Sequence, residues 1–143
     1  MSGTTDPSDR PFVPPTSGSW LEALGFQIEV LDGTRVVGHL DVTPDHHTPW
    51  GVVHGGVYAT IVETTASLGA SAAVADRGQF AVGVHNATDF LRPVVDGRLD
   101  VVALPILQGR TQQLWSVEFT RHDDGKLVAQ GQLRLQNVPL PGA

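Results

Sequence analysis

The stretch Val53–Ala75, VHGGVYATIVETTASLGASAAVA, limits what this chain can fold into more than any other. It reads as a loop, a His-Gly-Gly turn and then a long helix. Ala59, Ala66, Gly69, Ala70, Ala72 and Ala73 crowd that helix with small side chains. Ala favours helix, and small residues let neighbouring backbone come close. From Val57 to Ala75 the only formal charge is Glu63. A surface helix normally carries a charged stripe, so this one is expected to be wrapped on most sides by other structure. A single carboxylate on a wrapped helix is costly unless it has a partner or a task.

Bulk properties narrow the class. A chain of 143 residues suits one domain with a real core. There is no Cys, which excludes a disulfide framework and thiol chemistry. A net charge of −6 and a pI near 5.3 argue against a nucleic-acid surface. No apolar run reaches the ~18–20 residues of a membrane span. The first segment lacks a basic stretch followed by an apolar one, so a cytoplasmic protein away from membranes is expected.

Taken in order, residues 1–18 are rich in Pro, Ser, Thr and Asp and read as a flexible arm. Residues 19–138 form the domain, and residues 139–143 a flexible tail. Ser19 to Gly25 reads as a short helix with Ser19 as its cap and Gly25 as its end. Phe26–Leu31 and Thr34–Val42 are the strands of a hairpin closed at Asp32-Gly33. Thr43–Val52 is a loop that leads into the His-Gly-Gly turn. After the helix come four strands: Gln79–Arg92, Arg98–Leu107, Thr111–His122 and Leu127–Gln136. Pro105 marks an edge or a bulge in the second of these. Pro139 and Pro141 are expected to keep Val138–Ala143 out of the sheet. Short turns between strands imply antiparallel neighbours. One helix cannot cover both faces of a sheet. The simplest fit is α+β: a curved antiparallel sheet wrapped around one long central helix.

The residues His54-Gly55-Gly56, then Glu63, then Asn86-Ala87-Thr88-Asp89-Phe90-Leu91-Arg92-Pro93, Asp96-Gly97 and Gly109-Arg110 form a pattern. It resembles the hotdog-fold acyl-CoA thioesterases, most closely the branch of the phenylacetic-acid-pathway and Arthrobacter-type 4-hydroxybenzoyl-CoA enzymes. The resemblance runs from about Trp20 to Gln136. It implies the hotdog fold, acyl-CoA substrates, no cofactor, and a homodimer or homotetramer.

Thioester hydrolysis passes through a tetrahedral oxyanion. It needs donors aimed at that oxygen and a base or nucleophile at the carbonyl carbon. A helix start offers unpaired N–H groups, and Gly55 and Gly56 leave it open to a ligand. The same glycines would also serve a plain turn. The resemblance assigns carbonyl polarisation to the Gly55 N–H, and the catalytic carboxylate, as base or nucleophile, to Glu63. It places Ser67, one turn after Glu63, near the attacking water or the acyl carbonyl, with Thr64 close by. Ser67 could equally fill a tight helix contact. His54 either hydrogen-bonds near the carbonyl or braces the turn. Thr48 stands where related enzymes carry a Gln that positions the thioester. Phe90 suggests an apolar acyl group. Arg92 and Arg110 are the candidate partners of the CoA phosphates, or simply solvated strand-end arginines.

One inference rests on geometry alone. His54 and Glu63 are nine positions apart, so on one helix they face opposite sides and lie ~13 Å apart along its axis. They cannot reach one carbonyl from the same chain, and a site shared across a two-fold interface is expected. Gln79–Arg92 is the natural edge for pairing two sheets. A metal site is not expected, since the six His residues form no His-x-x-x-His pair. A serine-hydrolase elbow and phosphate loops are missing as well. The alternative to an enzyme is a non-catalytic acyl-CoA-binding hotdog acting as sensor or carrier, favoured by Thr48.

Overall fold

The computed structural model describes residues 20–141. The arm expected over residues 1–18 therefore lies outside the described residues. A short helix α1 (Trp20–Leu24) leads into a hairpin of β1 (Gln27–Asp32) and β2 (Arg35–Asp41). The long helix α2 spans Gly55–Val74, and four strands follow: β3 (Gln79–Phe90), β4 (Arg98–Gln108), β5 (Gln112–Arg121) and β6 (Leu127–Pro139). All six strands form one antiparallel sheet in the order β1-β2-β4-β5-β6-β3.

The sheet curls around α2 because both surfaces carry apolar periodicity. Period-2 alternation in β5 buries Gln113, Trp115, Val117 and Phe119, and in β6 it buries Leu133 and Leu135. These side chains close on Val57, Tyr58, Ile61, Val62, Ala66 and Ala70 of the helix. Burying each larger aliphatic contributes about 1.5–3 kcal/mol. The tightest approach is at Gly69, where a Cβ would sit 2.6 Å from the Trp115 ring. Trp115 donates from Nε1 to Gln113 Oε1 (2.9 Å), and Gln113 donates to the helix carbonyl of Ala70 (3.0 Å). The polar groups enclosed with the indole are thus paired.

Three expectations are corrected. First, β3 and β4 are not neighbours, although only residues 91–97 separate them. Pro93 stops the ladder, and Leu91 and Arg92 donate to Val128 O (2.8 and 3.1 Å). Val53 N bonds Val94 O, Val42 N bonds Gly97 O, and Val94 is buried. Those bonds carry the connection across the mouth of the sheet rather than into a hairpin. Second, β6 continues through Val138 and Pro139, opposite Phe80 and Gln79. A proline at the last position of a strand costs little ladder bonding. Third, α2 is fully covered on one side only. Ala59, Thr60, Thr64, Ser67 and Leu68 are half-buried, and Glu63 is exposed. The five-residue α1 is too short to cover that face. Pro105 does mark a bulge, between Pro105 and Leu107, just past the point where β2 ceases to pair with β4.

A second bulge sets which side chains of β3 face the helix. Directly opposed residues of an antiparallel pair share a face. Buried Asn137 and Leu135 face Ala81 and Gly83, but buried Leu133, Gly131 and Ala129 face Asn86, Thr88 and Phe90. The register shifts between Gly83 and His85, so Val84 is the extra residue. It turns Asn86, Thr88 and Phe90 inward, where unbroken alternation would have turned His85, Ala87 and Asp89.

On the far side of the sheet a charged ladder joins β1, β2 and β4. Arg98 donates to Asp100 (2.8 Å) and to Glu29 (3.1 Å), His122 Nδ1 meets Asp100 at 2.7 Å, and His39 Nδ1 meets Glu29. Partial burial works to raise the Asp100 carboxyl, but hydrogen bonds from His122 and Arg98 outweigh it and hold it below the usual carboxylate range. A lowered folded-state value means the contribution is present above about pH 4 and is lost as pH falls through it. Urea unfolding of Asp100→Asn should therefore show a loss of about 0.5–1 kcal/mol at pH 6 and a smaller loss at pH 3. An equal loss at both values would contradict this account.

Candidate active site

The turn before α2 is held by histidines. His46 is buried. Its Nδ1 accepts from Thr43 N (3.0 Å), which leaves Nε2 to donate to Leu24 O (2.7 Å). His47 donates from Nε2 to Val95 O (2.6 Å). The backbone N–H of His54 donates to His46 O (2.8 Å). The adjacent histidines thus brace the loop. Among the described residues no group of three His, Cys, Asp or Glu side chains could hold a metal.

His54 caps the helix. Its backbone is extended (φ −66°, ψ 136°), and its Nδ1 accepts from Gly56 N (2.8 Å), while its carbonyl accepts from Val57 N (3.0 Å). Those bonds satisfy the amides of Gly56 and Val57. Gly55 N–H has no acceptor among the described residues. One free donor therefore stands at the positive end of a 20-residue helix. The ring of Phe90 lies over Gly55, and a Cβ there would come within 2.5 Å of it. Phe90 is itself 59% exposed and stacks on Tyr58 (centroids 5.9 Å apart). The Tyr58 hydroxyl is pushed up to about 12 by burial, so this ring is a wall rather than an acid.

Glu63 lies two turns further along α2, on the face left open by the sheet. It forms no hydrogen bond or ion pair among the described residues. It stands on a ridge between two troughs. One, of about 460 Å³, runs between α2 and α1 and is lined by Trp20, Thr60, Thr64, Ser67 and Leu68. The other, of about 410 Å³, runs between α2 and β3 and is lined by Ala59, Thr60, Asn86, Thr88 and Phe90. A smaller space of about 180 Å³ beside it adds Val84, His85 and Leu133. A carboxylate on a ridge with a mixed apolar and hydroxyl trough on each side can act on a ligand lying in either.

The family model of the thioesterase superfamily matches residues 51–128. The chain belongs to the thioesterase superfamily. Rv1847 of Mycobacterium tuberculosis is 44% identical to this thioesterase over 80% of this chain and 83% of its own. The 1,4-dihydroxy-2-naphthoyl-CoA thioesterase 2 of Arabidopsis thaliana is 39% identical over 76% of this chain and 71% of its own. The solved structure of S. sahachiroi AziG superposes with a TM-score of 0.81 at 46% identity, covering 86% of this chain and 98% of that one. The six-stranded sheet around one long helix is the hotdog fold expected from the resemblance.

Within this thioesterase the expected site residues divide. Glu63, Thr64 and Ser67 line one trough, and Glu63 and Phe90 another. Gly56 is at the turn, but its N–H is occupied by His54. Thr48 is occupied with its own loop: its Oγ1 accepts from Trp50 N (3.2 Å), its N–H donates to Val52 O and its carbonyl accepts from Gly51 N. Arg92 donates to Leu127 O (3.0 Å) on the connection near the start of α2. Arg110 follows β4 at the other end, where Asn137 bonds its carbonyl and Gln113 bonds Ala70 O. One chain therefore does not bring the two arginines together. Several trough residues had no assigned role in the sequence, Trp20 and Asn86 among them. Trp20, whose Nε1 donates to Thr60 Oγ1 (3.2 Å), carried no motif, and Asn86 was visible only as part of a longer pattern.

Proposed function

We propose that this thioesterase hydrolyses acyl-CoA to the free acid and CoA, with Glu63 as the carboxylate that acts at the thioester carbon. The Gly55 N–H polarises the carbonyl. The observation that carries this reading is the free Gly55 donor beside an otherwise fully paired turn, together with an unpartnered carboxylate on the same helix. Acting as base, Glu63 takes a proton from water as the water oxygen attacks the carbonyl carbon. The oxyanion forms at Gly55 N–H, the C–S bond breaks, and the proton passes to the CoA thiolate. Acting as nucleophile, it forms a mixed anhydride that water then opens. Both routes use the same two groups. Ser67 and Thr64 lie where a hydroxyl can hold the water, and His54 serves by holding the turn.

Two chains complete the site in this reading. Gly55 and Glu63 project from one helix eight residues, or about 12 Å, apart. Glu63 of one chain therefore meets the Gly55 turn of another. The open face of α2 and the unpaired outer edge of β3 support that assembly. It is a homodimer with two sites, or a homotetramer built from two such dimers. Arg92 of one chain and Arg110 of another are the cations offered to CoA phosphates. Phe90 and Trp20 wall the two troughs beside Glu63, which favours an aromatic or otherwise apolar acyl group. The Arabidopsis relative's naphthoyl-CoA name agrees with that class.

Free-thiol release from a panel of aromatic and aliphatic acyl-CoAs tests this. Turnover strongest on aromatic members is expected. The second reading, an acyl-CoA binder, draws on Thr48 being tied into its loop. It would give a ligand-dependent rise in Tm with no thiol release on any member.

A further inference from the structure

Asn86 has no place in the chemistry just described, yet it lines both the trough and the smaller space that Glu63 lines on the β3 side. Val84, the bulged residue two positions earlier, is what turns it towards the helix. Its carboxamide is then fixed twice. Nδ2 donates to Ala59 O (2.9 Å), and Oδ1 accepts from Thr88 Oγ1 (2.7 Å). These two bonds settle which end of the amide is nitrogen. In an α-helix the carbonyl of residue 59 is also the acceptor for the amide of residue 63. Asn86 is therefore seated on the very turn from which Glu63 projects. An amide nitrogen has two hydrogens, and only one is committed. The second is uncommitted among the described residues, and Asn86 and Glu63 line the same space.

We propose that Asn86, aimed by the Val84 bulge and clamped by Thr88, is the positioning residue for the Glu63 carboxylate. In the single chain Glu63 makes no bond to Asn86; once substrate and a second chain enclose the site, the second N–H of Asn86 donates to Glu63 and directs that carboxylate at the reacting carbon. The role rests on the thioesterase reading of Glu63. A bulge and two oriented hydrogen bonds are more than the packing of an exposed edge strand requires. A donor to an ionised carboxylate favours the charged form, which is what a base or nucleophile needs.

The test compares Asn86→Asp, Asn86→Ala, Thr88→Val and Thr88→Ser with the wild type, on whichever acyl-CoA the wild type turns over best. Asn86→Asp keeps the shape, removes the donor and adds a like charge. It should lower kcat about 10–100-fold, leave KM within about twofold, and move the acid limb of the pH–rate profile upward. Asn86→Ala should do the same more weakly. Thr88→Val releases the amide and should lower kcat, while Thr88→Ser, which keeps the hydroxyl, should restore it. Among the residues lining these troughs, His85 on β3 is the other titrating group, and Trp20 is what α1 contributes. The profiles are therefore measured in a His85→Gln background as well. Unchanged kcat in Asn86→Asp, or a loss of activity with the acid limb unmoved, would overturn the positioning role while leaving the thioesterase reading intact. A wild type with no turnover on any acyl-CoA would overturn both.

Discussion

Glu63→Gln is expected to lower kcat on acyl-CoA by about 10²–10⁴-fold while leaving the melting temperature close to that of the wild type. Both halves follow from where the residue stands. Its side chain is exposed and pairs with nothing among the described residues, so removing the charge breaks no internal bond. A substitution of this kind at the surface changes stability by no more than about 0.5 kcal/mol. Gln keeps the length and polarity of Glu but can neither take a proton from water nor form an anhydride. KM should change little, because the lost interaction belongs to the transition state. Thiol-release kinetics and a thermal melt check the two halves together. A variant that keeps activity within threefold of the wild type would exclude Glu63 as the acting carboxylate.

The second large effect is a contrast between Gly55→Ala and Gly55→Pro. Either change adds a Cβ that must displace the outer part of the Phe90 ring, which is free to turn because it is exposed. Gly55→Ala keeps the backbone N–H, and Gly55→Pro deletes it. Proline suits this position: it is the first residue of the helix, and the extended His54 before it is compatible with a following proline. The two variants share the Cβ contact with Phe90, and proline in addition replaces the N–H donor with its ring Cδ. Losing an oxyanion donor costs about 10²–10³-fold in kcat. Gly55→Pro should fall below Gly55→Ala by that factor. Equal kcat values in the two variants would remove the Gly55 N–H from the chemistry.

The parts of the site that were legible in the sequence are those fixed by local chemistry. A glycine turn at a helix start and a lone Glu on an uncharged helix can be seen from residue types alone. The inward face of β5 was legible from period-2 alternation, because its burial is regular along the strand. What was not legible depends on distant partners. The short link between β3 and β4 reads as a turn, but Val94, buried beneath the loop that precedes α2, draws it across the sheet instead. The bulge at Val84 reverses the alternation of β3, and no residue type in the strand announces it. His46 and His47 look like stray ligands in the sequence. Only their carbonyl partners, from Leu24 and Val95, show that they hold the loop. The helix composition pointed to a wrapped helix, whereas in one chain only half of its residues are fully buried and Glu63 is exposed. The second copy of the chain proposed above reconciles the two.

That reconciliation can be measured with two inactive chains. Glu63→Gln keeps its Gly55 donor, and Gly55→Pro keeps its carboxylate. If each site joins Glu63 of one chain to the Gly55 turn of another, neither variant alone turns over. Unfolding and refolding them together in equal amounts restores one intact site in each mixed dimer. Random pairing predicts recovery of roughly a quarter of wild-type thiol release. No recovery, with mixed dimers demonstrated by size and mass, would contradict a site shared between chains.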